Sequence, residues 1–300
     1  MGKIAFVFSG QGAQYSGMGK ELYDASPAAK ATYDMADSIR NGTSKQCFEG
    51  TAEELSITVN TQPCVFTADL AAAYALVEKG ITPNCVAGFS LGEIAALAFS
   101  KMLSDEEAFK LVCKRGELMD KAAKENPGAM AAVLKLTPEK VEEICAKFDK
   151  TYPVNYNSPA QTVVATTSEN IDAFCETVKS EGGRTSVLAV SGAFHSPFMA
   201  DAAQGLAEYM QDIELAEPKV QIYSDVTAKP YEGDYKALIK AQVESPVKWQ
   251  TIVENMIADG VDTFIEVGVG KTLTGLIKRI NKDVKAFKVE TPADIEMLNI

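Results

Sequence analysis

Gly88-Phe-Ser-Leu-Gly92 has the G-x-S-x-G form of a nucleophile elbow. In such an elbow two glycines relieve crowding while a tight strand-to-helix turn lifts the serine hydroxyl into the open. Serine attacks poorly at its own pKa and needs a base to take its proton. The chain holds one histidine, His195, so a serine–histidine mechanism has a single possible base whatever the fold. It stands in Gly192-Ala-Phe-His-Ser196, between an apolar run that reads as a strand and Pro197, which opens a helix. Functional groups are commonly presented at such junctions of an α/β scaffold. The alternative for Ser90 is a helix cap, because serine is a favoured N-cap; for His195 it is a satisfied core or surface residue. Glu93 falls in the first turn after the elbow, where its charge suits the helix dipole.

Attack by Ser90 creates an oxyanion that needs donors, and the backbone amide of Leu91, directly after the nucleophile, is placed by the motif to supply one. The Gly10-Gln11-Gly12 loop is a second source, with an ordinary polar loop as the alternative for Gln11. A hydrolytic triad would add an acid between Ser90 and His195 in the chain. Glu169, Asp172 and Glu181 lie there, but all read as helix-surface residues, so the pattern favours a dyad. Arg115 lies on a helix whose apolar residues face a core; its guanidinium can hold a carboxylate through two parallel hydrogen bonds, or form a structural salt bridge. The glycine-rich start lacks the order of a dinucleotide fingerprint, and Gly268-Val-Gly-Lys-Thr272 lacks the upstream spacing of a P-loop, so nucleotide hydrolysis is not indicated.

The elements that must position these groups read as an α/β fold. Lys3 to Phe8 is a buried first strand, followed by a glycine-containing loop from Ser9 to Gly17. An alanine-rich helix runs to Glu78 with Pro63 near its start, a short strand Cys85–Ala87 leads into the elbow, and a helix runs from about Asp105 through Lys121. From Ala129 to Val190 the order β-α-β-β-α-β is that of a ferredoxin-like module. The chain then returns to a helix over Pro197 to Met210, strands at Val220–Tyr223 and Thr263–Val267, helices flanking Pro246, and a helix from about Lys271. The expected architecture is a hydrolase-like parallel-sheet core, residues 1–127 and 197–300, interrupted by a small ferredoxin-like α+β subdomain, residues 128–196.

With 300 residues, 46% of them hydrophobic, the chain can build this core without staples. The six cysteines are widely spaced, with no paired spacing for zinc or redox chemistry. They read as small core residues in a reducing compartment, and no metal is expected. Neither a secretory signal nor a membrane-spanning run is seen, so a cytoplasmic protein is expected. The 41 acidic and 29 basic side chains give a net charge of -12, which disfavours nucleic acid and anionic membranes as partners. An anionic ligand then needs a local basic site.

Several separated segments, in order, resemble the malonyl-CoA:acyl-carrier-protein transacylase family over Ile4 to about Arg279. They are Phe8-Ser-Gly-Gln-Gly-Ala-Gln14, Thr61-Gln-Pro63, Gly88-Phe-Ser-Leu-Gly-Glu93, Arg115-Gly116, Asn155-Tyr-Asn157, Gly192-Ala-Phe-His-Ser196, Ser245-Pro-Val-Lys-Trp249 and Glu266-Val-Gly-Val-Gly-Lys271. The resemblance implies Ser90 as the acylated nucleophile, His195 as general base and then acid, and Gln11 and Leu91 as backbone oxyanion donors. It implies Arg115 as the clamp on the malonyl carboxylate and Gln242 as the residue whose main-chain carbonyl orients the histidine. Gln62 matches a residue of the acyl pocket, Asn157 one near the cleft, and Phe194 a position where malonyl-accepting members carry phenylalanine. Malonyl-CoA is then the donor, the phosphopantetheine of an acyl carrier protein the acceptor, and no cofactor is permanently bound. The implied role is in fatty acid synthesis, with a polyketide-type acyltransferase, a serine thioesterase or esterase, and a noncatalytic scaffold as alternatives. A monomer is expected, and Lys271, Lys278, Arg279 and Lys282 are candidates for meeting the acidic carrier. The chain departs from the family pattern at Phe89, where histidine is usual, and at Val269, where proline is usual and a looser turn is expected.

Overall fold

The computed structural model describes residues 2–190 and 192–298; the expected domain limits at residues 1 and 300 lie outside them. Strand β1 (Lys3–Phe8) is followed by helices α1 (Lys20–Ala25), α2 (Pro27–Ile39), α3 (Thr43–Glu49) and α4 (Ala52–Ser56), none of which the sequence reading assigned. Helix α5 (Thr58–Glu78) starts a turn earlier than expected, with Pro63 inside it. Then come β2 (Cys85–Gly88), α6 (Leu91–Phe99) and α7 (Asp105–Glu125). The next stretch holds β3 (Gly128–Leu134), α8 (Pro138–Cys145), β4 (Tyr152–Ser158), β5 (Gln161–Thr167), α9 (Ile171–Ser180) and β6 (Arg184–Val187). After a 3₁₀ turn at Pro197–Met199 the chain forms α10 (Ala200–Tyr209), β7 (Gln221–Tyr223), α11 (Tyr235–Glu244) and α12 (Trp249–Ala258). It closes with β8 (Val261–Val267), α13 (Thr272–Ile280), β9 (Lys285–Val289) and α14 (Pro292–Glu296).

Five strands make one sheet in the order β7-β2-β1-β8-β9, every neighbouring pair parallel. A parallel sheet is buried on both faces and needs near-continuous apolar strands, which is what Ala5-Phe-Val-Phe8 supplies. Phe6 and Phe8 face a core formed with α5, α6 and α7, while Ala5 and Val7 face one formed with α12 and α13. The second sheet, β4-β5-β3-β6, is antiparallel and has the strand order of a ferredoxin-like module. Val133, Val164 and Phe174 of this module pack with α8 and α9 on one face, and the opposite face turns Met130, Ala132 and Val163 toward the main core. The small sheet is tied by β4 to the segment between α11 and α12: Tyr156 N–H donates to the Val247 carbonyl at 2.9 Å, and Val247 N–H to the Val154 carbonyl at 2.9 Å.

Parallel packing brings the carboxyl ends of β1, β2, β7 and β8 to one side, where the connecting loops line a crevice, the usual ligand position of an open α/β sheet. The elbow between β2 and α6 is the tightest of these turns. A Cβ on Gly88 would lie 2.0 Å from the Gly92 carbonyl carbon, and one on Gly92 2.3 Å from the Phe8 carbonyl oxygen, so α6 presses directly on the end of β1. Gly92→Ala is expected to cost on the order of 1–3 kcal/mol of stability, because the obstructing atoms are backbone and cannot swing aside. Unchanged thermal unfolding and transfer rates in that variant would show that the elbow does not need this close approach.

Candidate active site

Ser90 sits at the elbow with φ 57° and ψ −110°, a left-handed conformation that turns its side chain away from the helix start; its hydroxyl makes no capping bond. The cap alternative is thereby set aside. The hydroxyl oxygen lies 2.6 Å from Nε2 of His195, which the chain reaches 105 residues later, at the turn before Pro197. Nδ1 of His195 lies 2.9 Å from the main-chain carbonyl of Gln242. A carbonyl can only accept, so Nδ1 carries the proton and Nε2 is left as the acceptor facing Ser90. No acid is needed to fix this tautomer, and Glu169, Asp172 and Glu181 take no part in it.

His195 is buried, and its pKa falls to about 4, first through burial and then through the positive charge of Arg115; carbonyl contacts from Gln242 and Ser245 work in the opposite direction. The imidazole is therefore neutral near pH 7, the form a base requires.

Arg115 projects from α7 and is almost fully buried. Nη1 donates to Gln62 Oε1 at 2.8 Å, and Nη2 to Ser90 Oγ at 3.1 Å and to Gln242 Oε1 at 2.9 Å. Nε has no partner, and among the described residues no carboxylate lies within ion-pair distance of the guanidinium. The structural salt bridge considered for Arg115 is not formed. Burial lowers its pKa to about 10, which leaves it charged at neutral pH. Lys114, one residue earlier, pairs with Glu117 at the surface.

Ser90, His195, Arg115, Gln62, Asn157 and Phe194 all line one cavity of about 240 Å³, together with Gln11 and Leu91. Gln242 stands behind the wall and holds it: besides orienting His195, its Nε2 donates to the Ser90 carbonyl. The Ser90 amide is taken up by Asp225 Oδ2 at 2.8 Å. The Leu91 and Gln11 amides have no acceptor among the described residues, so both donors are free for a ligand oxygen. Asn157 is buried with its Oδ1 unpartnered.

Two groups at the site escape the sequence reading, and a third is seen there but placed in the wrong surroundings. Asp69, buried in α5, accepts from the Ser9 hydroxyl at 2.9 Å and from Val269 N–H at 3.1 Å, tying the loop after β1 to the loop after β8. A proline at 269 has no N–H to give. The turn expected to be looser is therefore pinned by a bond that only a non-proline residue can make. Asp225 and Glu93 are the other two; Glu93 is buried and bonded to Tyr231 and the Asp225 amide, not a surface charge complementing a dipole. Phe89 packs its ring on Trp249 at 5.7 Å, which gives it a packing partner where a histidine would seek a polar one.

The acyl transferase domain family model matches residues 5–293. A malonyl CoA-acyl carrier protein transacylase of Bacillus subtilis is 40% identical over 305 residues, covering 99% of this chain and 96% of its own. The crystal structure of a malonyl CoA-acyl carrier protein transacylase from Clostridium perfringens superposes with a TM-score of 0.94 at 37% identity, covering 98% of this chain and 95% of that one. A malonyl-transacylase solved in complex with its type II polyketide acyl-carrier protein matches with a TM-score of 0.94 at 33% identity, covering 98% of each chain. The fold, the ordered motifs and the similarity over nearly the whole length agree: this chain belongs to the malonyl CoA-acyl carrier protein transacylase family.

Proposed function

We propose that the protein moves a malonyl group from malonyl-CoA to the phosphopantetheine thiol of an acyl carrier protein, through an ester on Ser90. The observation that carries this reading is the convergence of three groups in one cavity: a serine hydroxyl, a neutral imidazole at 2.6 Å and a guanidinium at 3.1 Å. His195 takes the serine proton as Oγ attacks the thioester carbonyl, the oxyanion is met by the Leu91 and Gln11 amides, and coenzyme A leaves as its thiol with the proton from His195. In the second half, His195 deprotonates the carrier thiol, which attacks the ester carbonyl; the bond to Ser90 Oγ breaks and that oxygen takes the proton back from His195. Arg115 reads the free carboxylate that distinguishes malonyl from acetyl, with Gln62 holding its fork. Phe194 narrows the space beside the acyl carbon and so disfavours a branched donor. Met119, Met130, Leu188 and Val190 give the cavity a largely apolar wall, which favours transfer to a thiol over hydrolysis by water.

The carrier protein is expected at the cavity mouth. Thr272, Leu273 and Leu276 of α13 line the cavity, and Lys271, Lys278, Arg279 and Lys282 are exposed on and around the same helix. That gives a locally basic edge on an acidic protein, suited to an acidic partner. Six free thiols support a reducing, cytoplasmic site of action. No described helix is long and apolar enough to cross a membrane. Malonyl-carrier units made here suit fatty acid synthesis.

Intact-protein mass spectrometry after rapid mixing with malonyl-CoA tests the covalent step. A malonyl adduct is expected on the protein and absent from Ser90→Ala. Turnover without a Ser90-dependent adduct would sink the ester mechanism, and release of free malonate in place of malonyl-carrier would move the protein to the thioesterases.

A further inference from the structure

Two carboxyl groups lie directly beneath the nucleophile. Glu93 is three residues past Ser90 and Asp225 two residues past β7; each is 1% exposed. Asp225 Oδ2 accepts the Ser90 N–H at 2.8 Å and stands 3.4 Å from the Gln242 Nε2 donor. Glu93 Oε1 accepts the Tyr231 hydroxyl at 2.7 Å and the Asp225 N–H at 3.2 Å. The remaining oxygens, Asp225 Oδ1 and Glu93 Oε2, are buried and meet no N–H or hydroxyl donor, and the bond from the Asp225 N–H to Glu93 makes the two residues direct neighbours.

An ionised carboxyl group only accepts, so two ionised groups would leave both of these oxygens buried with no donor to meet them. Two buried negative charges would also confront a cavity that must admit a third on the malonyl group. One proton between Oδ1 and Oε2 removes both difficulties. The charged and titratable groups around the pair are Arg115 on α7, His195 before the 3₁₀ turn and Tyr231 after β7, with Gln242 on α11 as a neutral donor. Arg115 supplies the neighbouring positive charge: its Nη2 donates to Gln242 Oε1, and Nε2 of that glutamine stands 3.4 Å from Asp225 Oδ2.

We propose that Glu93 and Asp225 share one proton and form a positioning pair, whose single negative charge is the buried counter-charge of Arg115 and whose Asp225 oxygen holds Ser90 in its left-handed conformation. Burial is the largest cause pushing each carboxyl group above its ordinary range; the Glu93 charge pushes Asp225 up further, while the bonds from Tyr231 and the Asp225 N–H draw Glu93 part of the way back, in keeping with one retained proton. The pair touches neither donor nor acceptor; it acts through Ser90 and Arg115.

Amide substitutions separate this arrangement from a merely structural one. Asp225→Asn or Glu93→Gln keeps one negative charge, and the amide N–H donates where the shared proton had been. Each single variant is expected to lose no more than roughly threefold in kcat/KM for malonyl transfer. The Asp225→Asn/Glu93→Gln double variant has no charge left and sets two N–H groups against each other; it is expected to lose about 100-fold or more, far beyond the product of the singles.

A second measurement does not depend on Ser90 being the nucleophile, on which the effect on transfer rests. A proton kept by the folded pair and released on unfolding makes stability fall as pH rises from the unfolded carboxylate range toward the raised pKa of the pair. Either amide variant lacks that proton. Its urea-unfolding free energy should therefore fall less steeply than the parent's as pH rises above the ordinary carboxylate range, while Asp69, Glu266 and His195 contribute alike to every protein. Equal slopes in the parent and both singles overturn the shared proton, even if the double variant does not fold. A folded double variant as active as the singles overturns the counter-charge role. Absence of a Ser90 adduct in the parent sinks the transfer reading and leaves the proton count to stand or fall alone.

Discussion

His195→Ala is expected to slow both half-reactions by roughly 10²- to 10⁴-fold, the range a positioned general base contributes, while leaving the fold intact. The two steps should suffer together because the same imidazole faces the only nucleophile of the first and the incoming thiol of the second. No other side chain is poised to replace it: the chain has no other histidine, and Asp225 is bonded to the Ser90 amide and not to its hydroxyl. The cost in stability should be small relative to the cost in rate, since the ring's bonds are to Ser90 Oγ and to one carbonyl. Single-turnover acylation by malonyl-CoA and transfer to carrier protein, measured separately, check both halves. Parent-like rates in either half would remove His195 from that half.

The same histidine sets the acid limb of the pH profile. With its pKa lowered to about 4 by burial and by Arg115, the imidazole stays neutral as pH falls through the ordinary histidine range and is protonated only near the lower value. In rapid pH-jump assays kcat/KM for malonyl-CoA should therefore hold between about pH 6.5 and pH 5 and fall below that. A limb at about pH 6.5 would mean that the imidazole is far more solvated than its surroundings indicate.

What was legible in the sequence, and what was not, follows from how each residue does its work. Ser90 and Leu91 act through a local strand–turn–helix geometry, so five adjacent letters announce them. His195 is legible because it has no competitor. The ferredoxin-like order is readable as apolar runs of strand length separated by helix-length segments; β3 and β5 are covered on both faces and so run apolar without alternating. The four helices between β1 and α5 are not: Lys20–Ala25, Thr43–Glu49 and Ala52–Ser56 are too short to show a helical period, and the longer Pro27–Ile39 buries a stripe of Ala29, Thr32, Tyr33 and Ala36 that is only weakly apolar. Strand β9, at the sheet edge, offers only Ala286 and Val289 to burial. Asp225 was illegible for a different reason: it stands in a loop with no motif, and its partners Ser90 and Glu93 are 135 and 132 residues away. Glu93 was seen but misjudged, because a first-turn glutamate is ordinarily solvated and only the third dimension places Tyr231 against it.

Arg115→Ala is expected to depress malonyl transfer far more than acetyl transfer. Only malonyl keeps a carboxylate once its other carboxyl group is a thioester, and that carboxylate would meet a guanidinium with an unpartnered Nε and, among the described residues, no carboxylate in direct ion-pair contact. Losing one side of a buried charged pair costs on the order of 2 to 5 kcal/mol, or roughly 30- to several-thousand-fold. Acetyl transfer loses less but does not escape, because Nη2 also donates to Ser90 Oγ and Gln242 Oε1 and helps to place both. Arg115→Lys should recover only part of the malonyl rate: an ammonium restores the charge and not the planar fork. The charge has a second reach, since Arg115 is the second cause holding the His195 pKa down. In Arg115→Ala the acid limb should move up from about 4, and Arg115→Lys should move it back toward the parent. A bound malonyl carboxylate, by neutralising the guanidinium, would strengthen His195 as a base just when the carrier thiol must be deprotonated. The measurement is kcat/KM for malonyl-CoA and acetyl-CoA across pH with the three proteins. Equal proportional losses for both donors, with an unmoved acid limb, would mean that Arg115 supports the scaffold and does not read the carboxylate.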